Sequence, residues 1–412
     1  MAQGLLSGFR ALDLTDQKGF VCGKILATLG VDVIKIERPE GDPARNIPPF
    51  FNDVHNVENS LYWLAHNTDK RGITLNLQKP SGRDIFIKLC KNCDFILESF
   101  EPGYLEELGL GYKELSAINP RIIFTSITHF GQTGPFSKYK GSDLIDSAMS
   151  GVLEMTGYPD RPPVREGADS IYFRGCAAAA YGTVLAHYYR ETSGEGQHVD
   201  ISLQHVDSSR LSVNYIVWGF EKRLLKRMAP KISMGAATPV GIWPCKDGYI
   251  FWVLIGGPMG APSNRALSNW MNEEGIENPL KQVIRWEEFD MARIGEGIKT
   301  LEKAIGDFFL KHTKQELERE GLKRGISVTA IYNVNEVHDS TQLAARQHWV
   351  NVNHNELGMR VDYPGYFFKC NRTENHVTQR APHLGEHNLE VYQNELGFSL
   401  EELTEMKAES II

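Results

Sequence analysis

The residues able to do chemistry gather at turns. Arg38 and Arg45 bracket the loop Arg38-Pro39-Glu40-Gly41-Asp42-Pro43-Ala44-Arg45, which ends an apolar strand. Open α/β sheets bind ligands beyond the carboxyl ends of their strands, so both arginines are candidates for holding an anion. His129 precedes Phe130-Gly131-Gln132-Thr133-Gly134-Pro135, a loop whose backbone amides could stand beside a ligand. A binding role for His129 follows, whereas His387, just before a terminal helix, reads as a structural cap. Glu166 and Asp143 could act as general acids, but a single loop carboxylate is usually solvated. The lone Cys90-Lys91-Asn92-Cys93 has no second pair to complete a zinc site, so no metal is expected.

The densest stretch runs from Pro162 to Ser202. Its middle, Gly175-Cys176-Ala177-Ala178-Ala179-Ala180-Tyr181-Gly182, carries almost no bulk, so a helix there admits close approach and must be buried. Thr192-Ser193-Gly194-Glu195-Gly196-Gln197 ends that helix, and His198 to Leu203 alternates like a half-buried strand. Asp169 and Tyr172 stand at the helix entrance, and Asp169-Ser170 suits an N-cap.

Behind these residues lies a regular alternation. A strand at residues 11–15, a helix at 19–29 and a strand at 31–37 make a βαβ unit, with no GxGxxG between them. Strands follow at 73–77, 95–98 and 122–127, with a helix at 81–89 capped near Ser81. The N-terminal 200 residues or so therefore form a parallel α/β layer. Beyond Leu203 come a helix at 206–220, a hairpin at 241–253 with an Asp247-Gly248 turn, a glycine loop at Gly256-Gly257, and helices at 263–273 and 298–321. A strand returns at 327–334, and a final helix spans 388–396. With 412 residues and 42% hydrophobic content the chain accommodates two domains. A net charge of -8 gives no footprint for nucleic acid or an anionic membrane, and no apolar run spans a bilayer. A cytoplasmic protein acting on small molecules is expected.

Nine segments in this order resemble the class III coenzyme A-transferases, the family of formyl-CoA transferase and the carnitine CoA-transferases. They include Ala11-Leu12-Asp13-Leu14-Thr15, Ile36-Glu37-Arg38-Pro39-Glu40-Gly41-Asp42, Lys70-Arg71-Gly72, Ser99-Phe100-Glu101-Pro102-Gly103, Gly131-Gln132-Thr133-Gly134-Pro135 and Pro382-His383-Leu384-Gly385-Glu386-His387. The resemblance implies an α/β fold with a large Rossmann-like parallel-sheet domain from both chain ends (1–205 and 330–412). A small α+β domain at 225–325, linkers at 206–224 and 326–340, and an interlocked dimer complete it. It further implies coenzyme A as substrate, held by Gln17, Lys18, Arg38, Lys70, Arg71, Ser99, Phe100 and Tyr104, with His129, Gly256 and Gly257 in substrate loops.

In that family a carboxylate attacks the donor thioester, and CoA passes through an enzyme thioester to the acceptor acid. The family's aspartate stands roughly 25 residues before the glutamine matched by Gln197, a position that reads Tyr172 here. Asp169, three residues earlier, is the other candidate nucleophile. Glu106 and Glu107 also stand where members often carry a base that holds CoA phosphate. The chain thus resembles the nucleophile-lacking subunit of heteromers such as the succinyl-CoA-dependent benzylsuccinate CoA-transferases of toluene breakdown. The partner would be a homologous subunit bearing the aspartate, or a second copy if Asp169 reacts. An acyl-CoA racemase would need a His in the turn that reads Gly141-Ser142-Asp143, and a purely structural subunit would bind no CoA.

Overall fold

The computed structural model describes residues 4–232, 238–276, 278–283, 285–290, 297–373 and 379–412. They make two compact units. The first takes the chain up to Val152, Glu166–Ile216 and Thr341–Ile412; the second takes Leu153–Arg165 and Val217–Ser340. The large unit thus runs to Ile216 rather than 205 and resumes at Thr341 rather than 330.

The first unit is built on β1 (Arg10–Asp13), α1 (Phe20–Thr28), β2 (Asp32–Glu37), α2 (Leu61–His66), β3 (Arg71–Thr74), α3 (Pro80–Cys90) and β4 (Phe95–Glu98). It continues with α4 (Tyr104–Glu107), α5 (Tyr112–Ile118), β5 (Ile123–Thr128) and α6 (Asp143–Ser150), and then, after the one-turn α7 (Val152–Met155), whose residues from Leu153 on belong to the second unit, with α8 (Ser170–Ser193), β6 (His198–Ser202) and α9 (Leu203–Ser208). The six strands are parallel, in the order β3-β2-β1-β4-β5-β6. That order is the dinucleotide-fold order, reached here without its glycine fingerprint.

Alternate strand residues feed two cores. Leu12, Ile34, Ile96 and Phe124 pack with Phe86, Leu115 and Leu403 on one face. Ala11, Val33, Phe95 and Ile123 pack with Cys22 of α1 and Cys176 and Ala179 of α8 on the other. Coverage on both faces explains the near-continuous apolar strands. Glycines set how closely α8 lies: a Cβ on Gly175 would fall 2.1 Å from Leu203 Cδ2, and one on Gly182 2.9 Å from Val199 Cγ1. Gly194 ends the helix at φ 79°, the left-handed C-cap conformation that glycine adopts without strain.

The chain's end returns to the β3 edge. Tyr392 Oη donates to Thr74 O at 2.6 Å, and Gly72 N–H donates to His387 Nδ1 at 3.1 Å. The final helix is a π-helical turn at Leu389–Glu395 followed by an α-helix at Leu400–Ala408. Also in this unit, β10 (Trp349–His354) and β11 (Met359–Pro364) pair antiparallel.

The second unit carries the antiparallel β7 (Ile242–Cys245), β8 (Gly248–Phe251) and β9 (Thr329–Ala330) around Trp243, Trp252, Trp270 and Phe309. Cys245 pairs with Gly248, so the turn is Lys246-Asp247 rather than Asp247-Gly248. The expected helix at 298–321 is two helices, Gly297–Phe309 and Lys314–Arg324, because Thr313 and Glu316 form a capping box between them. In α3, Pro80 occupies the first turn and Lys79 the cap, two residues ahead of the position read for Ser81.

Candidate functional site

The strand order reverses between β1 and β4, and a cleft of about 400 Å³ opens past the carboxyl ends there. Asp16 and Lys18 enter it from the end of β1, Arg38 from β2, Ser99 and Phe100 from β4, and Thr128 and His129 from β5. The segment Ser137-Lys138-Tyr139-Lys140-Gly141 closes the remaining side. A recess of about 100 Å³ adjoins it past Arg38 and Phe100 and reaches Tyr104. The Phe100 and Tyr104 rings lie 4.8 Å apart at 36°, an apolar wall beside the exposed guanidinium of Arg38.

Hydrogen bonds fix the cleft floor. Ser99 Oγ donates to Asp16 Oδ1 and accepts the Asp16 N–H, both at 2.8 Å, while Lys18 Nζ pairs with Asp16. Beneath, Glu98 accepts the Phe100 N–H at 2.8 Å. Burial pushes the Glu98 carboxyl up to about 7, against hydrogen bonds from Ser126 and the Phe100 amide that favour its charged form.

At the α8 entrance two helix starts satisfy each other. Asp143 N–H donates to Tyr172 Oη at 3.0 Å, and Ile171 N–H donates to Asp143 Oδ1 at 3.2 Å. Tyr172 is 5% exposed, and burial, with Asp146 beside it, raises its phenol above the ordinary tyrosine value. Asp169 holds the N-cap position of α8 but makes no side-chain cap bond; its Oδ2 accepts from Tyr62 Oη at 3.0 Å. His129 donates or accepts through Nδ1 to Asp146 Oδ2 at 2.7 Å, and its ring centroid lies 6.4 Å from that of Tyr172.

The family model for CoA-transferase family III matches residues 6–388. The chain belongs to this family. Succinyl-CoA:(R)-benzylsuccinate CoA-transferase subunit BbsE of Thauera aromatica is 35% identical over 93% of this chain and 93% of its own. Succinyl-CoA--D-citramalate CoA-transferase of Chloroflexus aurantiacus is 30% identical over 96% of this chain and 94% of its own. Among solved structures, a CaiB/BaiF family protein of Brucella suis superposes with a TM-score of 0.81 at 27% identity, over 96% of this chain and 100% of that one.

Class III CoA-transferases take CoA thioesters as substrates, and the residues expected to hold CoA divide into two groups. Lys18, Arg38, Ser99 and Phe100 meet in the cleft, Tyr104 lines the adjoining recess, and Gln17 lies between the lining residues Asp16 and Lys18. Lys70 and Arg71 stand elsewhere. Lys70 is buried, with Nζ on Asp13 Oδ2 at 2.7 Å and on Phe20 O and Asn67 Oδ1 at 2.8 Å. Arg71 is held by Asp32 at 2.6 Å, Glu390 at 2.8 Å and Glu395 at 2.6 Å. Arg45 is fully buried and bonded to Glu37 and Glu58, so it cannot meet a solvent-borne anion.

Other expected groups are also committed. Glu166 is bound by Arg210 at 2.9 Å and Arg174 at 3.0 Å, and those hydrogen bonds, Arg210 foremost, draw its carboxyl down to about 2. The Gln132 amide donates to Asp200 at 3.1 Å, so the Gly131–Pro135 loop is braced against β6. Gly256 and Gly257 belong to the second unit, where Gly256 caps the helix Gly257–Glu273 and Gly257 N–H donates to Phe289 O at 3.0 Å. Glu106 and Glu107 are not among the cleft-lining residues; its cations include Lys138 and Lys140, which none of the sequence motifs contains. Their signal was two lysines flanking Tyr139 just before Gly141, six residues past a ligand-type loop.

Proposed function

We propose that this chain is the non-catalytic subunit of a heteromeric class III CoA-transferase that moves CoA from an acyl-CoA donor, succinyl-CoA, to an aryl-substituted succinate. One observation carries the reading: the position that family spacing gives to the nucleophile is Tyr172, buried and bonded to the Asp143 amide, and a phenol there supplies no acyl oxygen of a carboxylate. The likeness to BbsE supports the substrates by analogy. A stripe of exposed apolar residues along α8, Phe173, Tyr181, Leu185 and Tyr188, supports a protein partner, in the family's interlocked form. Its compartment is the cytoplasm.

A second reading has its own support. Asp169 is not spent on capping α8 and sits against the Tyr62 hydroxyl, so a homodimer reacting through Asp169 is the competing proposal. Incubation with succinyl-CoA, hydroxylamine trapping and peptide mass spectrometry separate the two. Label on a co-purified homologue alone supports the heteromer; label on Asp169 of the isolated chain overturns it.

A further inference from the structure

At the β5 end of the cleft two side chains, His129 and Asp146, are prepared for a ligand that the floor does not explain. His129 and Thr128 are consecutive lining residues. Asp146, on α6, is fully buried; one carboxylate oxygen takes His129 Nδ1 and the other has no partner. A buried carboxylate bonded to one imidazole nitrogen fixes the ring's tautomer and favours a proton on the other. The ring is also clamped: a Cβ on Gly141 would lie 2.4 Å from His129 Cγ. The remaining nitrogen, Nε2, is left for whatever enters the cleft.

We propose that His129, oriented by Asp146, seats the sulfur of CoA and takes its thiol proton. This rests on the reading that CoA occupies the cleft. The S–H bond breaks, the proton goes to Nε2, and the sulfur keeps the electron pair. The Nδ1 proton stays on its bond to Asp146, so the site holds a thiolate, an imidazolium and a carboxylate. A free thiol has a pKa of about 8.5 and is mostly protonated near neutrality, whereas a thiolate beside imidazolium persists well below that value. The surrounding titratable groups come from four sides: Asp143 and Asp146 on α6, the Tyr172 phenol on α8, Asp16 and Lys18 after β1, and Lys138 and Lys140 on the closing segment. A chain with tyrosine at the nucleophile position would thereby hold CoA as the thiolate, ready for transfer but unable to acylate itself.

The test compares binding of CoA and of desulfo-CoA, which lacks the thiol, to the full chain and to His129→Gln by calorimetry at neutral pH. A charge-assisted contact to sulfur predicts about a tenfold loss of CoA affinity in His129→Gln, with desulfo-CoA bound equally by both proteins. Unchanged desulfo-CoA binding also reports an intact cleft. Asp146→Asn, which leaves the imidazole in place, is expected to give a smaller loss confined to CoA. Equal weakening of both ligands in both variants, or no weakening of either, overturns the assignment. If the unaltered chain binds neither ligand, the CoA-cleft reading itself falls, and the thiolate seat with it.

Discussion

Two sets of cations flank the same strand ends and do opposite work. Lys35, Arg45 and Lys70 are each no more than 1% exposed and lie against Asp13, Glu37 and Glu58. Arg38, Lys138 and Lys140 are exposed around the cleft. A buried charge is tolerable only with a partner in hydrogen-bond range, so the first set is matched almost one to one by acids. For Asp13, burial works against the charged carboxylate, but Lys70 and Lys35 more than offset it and hold the group below its ordinary value. The second set keeps its charge in water, where a phosphate can reach it. Side-chain type does not separate these roles; the supply of buried acids does.

The sharpest way to break that contrast is Lys70→Ala. It leaves Asp13 charged and buried without its closest cation, and a loss of about 3–5 kcal/mol in unfolding free energy is expected from denaturant titration. A variant of unchanged stability that merely failed to bind CoA would put Lys70 in the cleft set after all.

Glu98 lies under the cleft floor and tests the boundary between the two regions. Its folded carboxyl sits near 7, above the ordinary value of 4.5, so between these values the folded state binds the extra proton. Stability contributed by the neutral group is therefore complete below about 4.5 and lost as pH rises toward 7, by about 3 kcal/mol in all. Glu98→Gln is expected to flatten this slope in a pH series of melting curves. An unchanged slope would show that Glu98 is ionised in the folded protein.

The smallest effect belongs to the exposed set. Lys138→Ala, Lys140→Ala or Arg38→Ala is expected to weaken CoA binding about threefold to fivefold each, the size of one exposed ion contact, and to lose that effect at high salt. Melting temperatures should not move. If any of the three melts early instead, that residue belongs with the buried network.

Much of the scaffold was legible without coordinates. Two cues were present and unread: the Thr313 and Glu316 capping box that divides a long helical stretch, and the two lysines around Tyr139. The cap assigned to Asp169 was not legible, because the atom that satisfies the start of α8 comes from Asp143, 28 residues from Ile171. The same holds for Lys70 and Arg71. Their neighbours in sequence place them at a strand start, but Asp13, Asp32 and Glu395 reach them only after β1, β2 and the C-terminal segment have assembled.

The sequence by itself determined the alternation of strands and helices, the parallel sheet buried on both faces, and the close packing of α8 that its small residues require. Hydrophobic period and glycine placement act over one or two turns, so they are fixed locally. Tertiary structure alone decided which cations face water, that Tyr172 is locked to the Asp143 amide, and that His129 meets Asp146 across 17 residues. Those pairings depend on strand order and on the rotation of α6 and α8 against the sheet, and no local pattern carries either.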